Sequence, residues 1–469
     1  MRRIPRCLLV LAVGIALFSG AAWPIHPRAL TFEPLRWDPP TPTRAVLDNG
    51  LVVYALEDDE VPIVELTLYL RTGSLYDPEG KSGLARLTGQ GVRHGGTVDR
   101  SADQIDGALG RMAAELDLYM RGPYAAVSLS TLTRDVDEAW AILADMLRRP
   151  AFDPDRIALF KEERLEDIRR RYDRPGTVAM AEFRKRVYGE GSPWAGMATA
   201  ETISNITRED LVAFHGRHFR PDHCIASVSG DLSRAEMLEK VTSHFGDWAP
   251  SSAGPPCVPC VQARIVPSVN YIERDISQSY LEVGHLGYRH HDPNEFAVEM
   301  MNYLLGGGGF LSRLTREVRS ERGLAYSIRS RFTAEEEPGL FEVACVTDAG
   351  TTMEVLDLIL RIISGMVEGP PTDEELAKAK EARINEFVFA FDSRAKITRQ
   401  AAWLEYLGYP ADFLDRWVEN VRAVTAEDVW QAARSYLYPD GLTVLVVGNE
   451  RRFDRPLDEL GQVHRIEVE

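Results

Sequence analysis

Residues 82–97 read Ser82-Gly-Leu-Ala-Arg86-Leu-Thr-Gly89-Gln90-Gly-Val-Arg-His94-Gly-Gly-Thr97. The stretch predicts a helix, with Ser82 placed to cap its start and Gly95-Gly96 placed to end it. Positions i and i+4 of a helix lie one turn apart on one face, so Arg86 and Gln90 share a face and Gly89 stands beside them. Zinc on such a face needs histidine at both outer positions and a carboxylate base for its bound water. Arg86 is a permanent cation, Gln90 is a poor zinc ligand and Gly89 offers no base. On its residues alone the stretch predicts a helix whose face cannot hold zinc.

The frame around it, Gly83-Leu84-Ala85 before and Gly96-Thr97 after, resembles the insulinase (pitrilysin-type) metallopeptidase family. That family's inverted motif is His-x-x-Glu-His between Gly-(Leu/Ile)-Ala and Gly-Thr; this chain has one more residue before its Gly-Thr. The resemblance implies a third ligand, a glutamate roughly 75–80 residues on in a long helix. The matching position is Asp167, in Phe160-Lys-Glu-Glu-Arg-Leu-Glu-Asp167-Ile, which on its residues alone reads as a solvated helix position. With Arg86, Gly89, Gln90 and Asp167 all departing from the motif, the expectation is an inactive member that holds no metal itself.

The other informative stretch is Asn302-Tyr-Leu-Leu-Gly306-Gly-Gly-Gly-Phe310-Leu-Ser-Arg-Leu-Thr-Arg-Glu-Val-Arg319-Ser-Glu-Arg-Gly-Leu-Ala-Tyr326-Ser327. Four glycines before a helix suit a phosphate, but the Lys-Ser/Thr of a P-loop is missing. The stretch resembles the same family's second domain, Gly-Gly-Gly-x-x-Ser-Arg-Leu followed by an arginine and by Gly-Leu-Ala-Tyr. That resemblance implies that Arg319 and Tyr326 reach a substrate carbonyl held at a metal. Without it, Arg319 reads as a solvated helix residue and Tyr326 as a half-buried strand residue.

The chain has 469 residues, more than one hydrophobic core usually serves, so two domains are expected. Its formal charge of −17 disfavours nucleic acid and anionic membrane as partners and weakly favours basic peptides. Arg2, Arg3 and Arg6, the apolar run Cys7 to Phe18 and the small residues Ser19 to Ala22 read as a secretory signal over residues 1–22. The run is too short to span a bilayer, and nothing later approaches that length, so no stable membrane span is expected. The implied location is outside the cytoplasm, periplasmic in a Gram-negative source.

Cys257-Val-Pro-Cys260 lies in a Pro-rich linker with no second pair and reads as a local disulfide; Cys224 and Cys345 lie in apolar strand-like runs and read as core. His215, His218 and His223 form a possible metal cluster, and His290-His291-Asp292 another, but both read better as surface histidines. Ala433 and Tyr436 stand where His215 and His218 would repeat.

The Pro-rich residues 23–43 form an extended N-terminal segment. Asn49-Gly50 marks a hairpin, Ile63 to Arg71 a strand, and Ala113–Met120 with Tyr124–Leu132 a second hairpin turning at Gly122-Pro123. In the resembling family the first strand of this second hairpin lies along the active cleft and takes substrate as an added strand. Past the linker the order repeats. Ile206-Thr-Arg-Glu-Asp-Leu, Arg220-Pro221-Asp and Ser229-Gly230 recur as Val424-Thr-Ala-Glu-Asp-Val, Tyr438-Pro439-Asp and Val447-Gly448, all at one spacing. The sequence therefore predicts an α+β fold of two homologous α/β-sandwich domains, each a mixed sheet with helices on one face. The N-terminal domain takes 44–249, the linker 250–264 and the C-terminal domain 265–469.

The family's closed chamber takes four such domains and this chain has two, so the resemblance implies a dimer. The leading expectation is the non-catalytic subunit of a heteromeric peptidase, with peptides as substrates and zinc in a paralogous partner. Two alternatives stand beside it: a peptide-binding or assembly protein that has lost catalysis, and a peptidase with a displaced metal site at Gln90, His94 and Asp167.

Overall fold

The computed structural model describes residues 38–468. The signal segment and most of the extended N-terminal segment lie outside the described residues. Along β3, Val64, Leu66, Leu68 and Leu70 are buried and alternate with Glu65, Thr67 and Tyr69, the period of two that turns one row of side chains into a core. The first half runs β1 (Thr43–Val46), β2 (Val52–Glu57), β3 (Ile63–Leu70), α1 (Leu84–His94), α2 (Ala102–Arg111), β4 (Glu115–Arg121) and β5 (Tyr124–Leu132). It continues through α3 (Val136–Arg148), α4 (Pro154–Arg171), α5 (Pro175–Tyr188), α6 (Ala200–Ser204), α7 (Arg208–His218), β6 (Cys224–Gly230) and α8 (Arg234–Phe245).

The second half runs β7 (Ser268–Glu273), β8 (Gln278–Leu286), β9 (Tyr288–Arg289), α9 (Glu295–Asn302), β10 (Ala325–Phe332), β11 (Ala334–Glu335) and β12 (Leu340–Asp348). It closes with α10 (Thr352–Glu368), α11 (Asp373–Ala390), α12 (Arg394–Tyr406), α13 (Phe413–Ala423), α14 (Ala426–Tyr436), β13 (Thr443–Gly448) and β14 (Val463–Arg465).

The two six-stranded sheets have the same order. The first is β1-β2-β6-β3-β5-β4 and the second, read from its far edge, is β14-β7-β13-β8-β12-β10. Both are mixed: β2 runs parallel to β6 as β7 does to β13, and the remaining central pairs are antiparallel. Even the helix caps repeat, since Thr207 and Asp210 form a capping box on α7 and Thr425 and Asp428 form one on α14.

The halves are interlocked through one exchanged helix each. Helix α5 packs on β8 and β13 of the second sheet, burying Val178, Ala179, Phe183 and Val187 with Ile272, Leu286, Leu445 and Val447. Its counterpart α12 packs on β2, β3 and β6 of the first sheet. There Glu405 pairs with Arg44 at 2.7 Å and accepts from the Tyr54 hydroxyl at 2.5 Å, while Trp403 packs on Tyr69. Each half thus closes the other's sheet.

The linker has neither helix nor strand through residues 249–267. It is held by the Trp194 indole donating to Pro259 O at 2.7 Å and by Val261 N donating to Glu337 Oε2. In it Cys257 and Cys260 are exposed free thiols rather than a disulfide: Val258 and Val261 pack on the core, and no helical turn brings the two thiols to one side. Cys224 and Cys345 are buried free thiols. Among the described residues no helix is long and apolar enough to cross a membrane.

Candidate functional site

Helix α1 forms where the sequence predicts, but Ser82 does not cap it. The cap is Asp77, whose two carboxylate oxygens accept from Gly83 N and Ala85 N, each at 2.7 Å. Gly83 takes the left-handed conformation at φ 107° that turns the chain into the helix. The helix ends at His94 with Gly95 as its C-terminal cap.

Gly89, at the position of the missing base, is buried against the edge strand β4. A Cβ built there would stand 2.8 Å from Leu118 Cδ2 and 3.0 Å from Met120 Sδ. The room that a glutamate would need is filled by two apolar side chains. Arg86 is exposed, and Gln90 is half-buried with its Oε1 sealed from solvent and without a hydrogen-bond partner. On the neighbouring helix α4, Asp167 has 62% of its side chain exposed and is paired with Arg164 at 3.4 Å. Arg164 is largely covered and its Nε has no partner. Burial, and then the charges of Arg86 and Arg171, hold its pKa below the ordinary guanidinium value.

These residues do not fit a zinc ion. Permanent cations on both helices oppose a dication, and the ends of Leu118 and Met120 occupy the base position. Among the described residues there is no group of three or more His, Cys, Asp and Glu that could hold a metal. The displaced site at Gln90, His94 and Asp167 is not assembled either, because Asp167 pairs with Arg164 and His94 is an exposed last residue of α1 beside Arg93.

Of the histidines read as surface residues, His291 is exposed, whereas His218 and His223 are buried and His215 and His290 half-buried. The His215 ring stacks on Phe219 and shares a hydrogen bond with Leu147 O at 2.9 Å, and the His218 ring lies 4.3 Å from that of Phe214. Burial lowers both pKa values to about 4, so the rings are neutral packing elements. His290 is likewise half-buried against Tyr409, with its pKa lowered by burial to about 4. Two i,i+4 pairs in the sequence, Phe214 with His218 and His215 with Phe219, are the local sign of this packing.

The glycines after α9 are packing devices. A Cβ at Gly306 would lie 2.5 Å from Ser330 N, one at Gly307 2.8 Å from the Asn302 amide, and one at Gly308 2.6 Å from the Tyr303 ring. This leaves no cradle for a phosphate. The tight approach sets residues 303–307 and 315–320 in π-helical turns, an uncommon geometry that recurs at functional sites.

Arg319 closes the second of these turns, exposed, with its guanidinium 5.3 Å from the centre of the exposed Phe310 ring. It has no ion pair among the described residues. Tyr326 is the extra residue of a β-bulge: Ala325 pairs with Thr347 and Ser327 with Val346, leaving Tyr326 unpaired. The bulge turns its side chain outward to 78% exposure, on the edge strand β10. On its residues alone Tyr326 reads as half-buried, since a bulge leaves no mark in an alternating pattern; the exposed side chain is free to reach outward, as the family resemblance implies. Strand β4 is the matching edge of the first sheet, pairing only with β5. Beside it Tyr119, Tyr124 and Trp403 form an aromatic row, with Tyr124 4.7 Å from Trp403.

The insulinase (peptidase family M16) domain matches residues 52–187, and the peptidase M16 inactive domain matches residues 205–383, together about two thirds of the chain. The chain belongs to the insulinase-like peptidase family M16. It is a member without the family's zinc motif. An uncharacterized zinc protease of Streptomyces coelicolor is 24% identical over 405 residues, covering 85% of this chain and 87% of that protein. The uncharacterized zinc protease YmxG of Bacillus subtilis is 22% identical, covering 86% of this chain and 97% of its own length. Among solved structures, a peptidase M16 inactive domain from Pseudomonas fluorescens superimposes with a TM-score of 0.80 at 26% identity, over 89% of this chain and all of that one. A Helicobacter pylori protease has the same fold, with a TM-score of 0.78 at 18% identity.

Proposed function

We propose that this M16 protein is the non-catalytic subunit of a heteromeric zinc peptidase, enclosing a peptide with a zinc-bearing paralogue and giving Arg319 and Tyr326 to the partner's site. The observation that carries the reading is the bulge at Tyr326, which turns a phenol outward on an open edge strand, while apolar side chains fill the base position of the chain's own motif. In such a pair the metal, when bound, supplies the activated water from the partner. Arg319 and Tyr326 donate hydrogen bonds to the scissile carbonyl oxygen as negative charge gathers on it, and fixed donors of this kind are worth most at that moment. The peptide is taken as a strand on the free edge of β4, through backbone groups and with little regard to sequence. Export by the N-terminal segment, to the periplasm of a Gram-negative cell, belongs to the same proposal and is tested by fractionation.

Co-expression with a zinc-bearing paralogue provides the decisive assay. Arg319→Ala and Tyr326→Phe are each expected to lower kcat of the mixed complex by about 10²–10³ while zinc content and assembly stay constant. Full activity in both variants would leave a peptide-binding or assembly protein instead.

A further inference from the structure

The face on which the family's motif would hold its metal carries three guanidinium groups and one carboxylate. Arg86 on α1 is exposed and has no hydrogen bond or ion pair among the described residues. On α4, which packs against α1, Arg164 keeps 20% of its side chain exposed and pairs only with Asp167 at 3.4 Å. Asp167 is itself 62% exposed and competes with water for that contact. Arg171 donates once, to Ala198 O at 2.9 Å. Two polar atoms here are sealed and unmatched, Arg164 Nε and Gln90 Oε1. A glutamine amide turned about its last torsion offers its NH₂ in place of that oxygen.

In a chain of net charge −17 these three guanidinium groups have one carboxylate partner among the described residues, Asp167. Guanidinium groups pair bidentately with carboxylate or phosphate, and of the two a carboxylate is what an unmodified peptide carries. Helix α1 also packs on the open edge strand β4, through Leu118 and Met120 against Gly89. An extended peptide added to that edge passes the helix that carries Arg86.

We infer that the lost zinc motif has become a carboxylate-binding site, in which Arg86 and Arg164 hold a free C-terminus or an acidic side chain of a bound peptide. The source of the carboxylate rests on the peptide-binding reading above; the anion site itself does not. Both sources share one chemistry, and a peptide series separates them.

The test uses the full chain and labelled peptides of one sequence, with a free or amidated C-terminus and with Glu or Gln at one internal position, read by fluorescence anisotropy. At low salt a carboxylate-bearing peptide is expected to bind about tenfold tighter than the amidated Gln peptide. The advantage should shrink as salt rises and collapse in Arg86→Gln, an exposed position where the substitution does not threaten folding. Discrimination at the C-terminus alone assigns end recognition, and discrimination at the internal position alone assigns side-chain recognition. In parallel, N-acetylglycine is titrated into protein with isotope-labelled arginine, following the Arg164 Nε–H resonance, which should shift in the parent and stay fixed in Arg86→Gln. Equal binding of all the peptides with no N-acetylglycine shift overturns the inference and leaves peptide binding intact. An N-acetylglycine shift without any peptide binding keeps the carboxylate site and removes the peptide-binding reading instead.

Discussion

The two halves share a sheet order and their caps, yet the glycines of their two motifs are packed against different things. In the first half Gly89 faces the ends of two flexible side chains, Leu118 and Met120. In the second half Gly306 faces the backbone nitrogen of Ser330. A gap filled by the ends of flexible side chains holds no particular backbone shape, because those ends can move aside. A gap closed by backbone is still holding a shape: the approach that fixes residues 303–307 leads on to the turn of Arg319 and the bulge of Tyr326.

The largest expected effect tests that contrast. Gly306→Ala should destabilise by about 2–4 kcal/mol, since a Cβ 2.5 Å from Ser330 N moves a strand or a helix turn. Gly89→Ala should cost under about 1 kcal/mol, because side-chain ends give way and alanine favours the helix. Urea melts of the two variants read the difference, and equal costs would remove the distinction.

Next comes rebuilding of the motif. Arg86→His, Gly89→Glu and Gln90→His together should cost about 1–3 kcal/mol, as a carboxylate enters the space of Leu118 and Met120. The triple variant, like the parent chain, should carry well under one zinc per molecule by elemental analysis. Stoichiometric zinc in the parent would mean that the reading of α1 is mistaken.

A smaller effect lies at a position where the halves differ in charge. Thr67 of β3 and Glu282 of β8 stand at the same place, pairing with Ser227 and Leu445 of the equivalent strands β6 and β13. Burial raises the Glu282 pKa to about 8, with the charge of Glu342 adding and Arg329 and Arg331 opposing. Its Oε2 has no hydrogen-bond partner. The folded chain therefore holds a proton between about pH 4.5 and 8 that the unfolded chain releases, so stability falls as pH rises through that window. Glu282→Gln should gain on the parent by at least about 1 kcal/mol as pH rises from about 5 to about 8. Melting curves at the two pH values decide it.

What the sequence made legible follows the same division. The Asn49-Gly50 hairpin appears where expected, and the repeated motifs around Thr207 and Thr425 and around Pro221 and Pro439 take the same local structure in both halves, since all are local signals. Arg86, Gly89 and Gln90 were legible as losses because helix spacing fixes their face. The contents of the gap were not, since Leu118 and Met120 lie in another element and only the fold brings them to Gly89. Arg164 lies three residues before Asp167 on one helix face and is legible there as a cation beside the missing ligand position. The exchange of α5 and α12 between sheets had no local sign, because an apolar helix face does not state which sheet it will cover.

The smallest effect concerns the aspartate that each half places ahead of its first helix after the central strand. Counting from the paired positions Thr67 and Glu282, Asp77 of the first half meets Asp292 of the second. Asp77 spends both oxygens on Gly83 N and Ala85 N, whereas Asp292 accepts from Asn294 N and from the Tyr436 hydroxyl of α14. Asp77→Ala should therefore cost about 1 kcal/mol through loss of the cap, and Ser82→Ala should stay within about 0.5 kcal/mol. Burial raises the folded pKa of Asp77 to about 6, above its unfolded value of 3.8, despite the two N–H bonds that pull it down. Parent stability then falls as pH rises between those values, so the deficit of Asp77→Ala should widen as pH drops from about 6 to about 4. A deficit that is the same at both pH values would show that the carboxyl is solvated, and that α1 is anchored by its packing on β4 rather than by its cap.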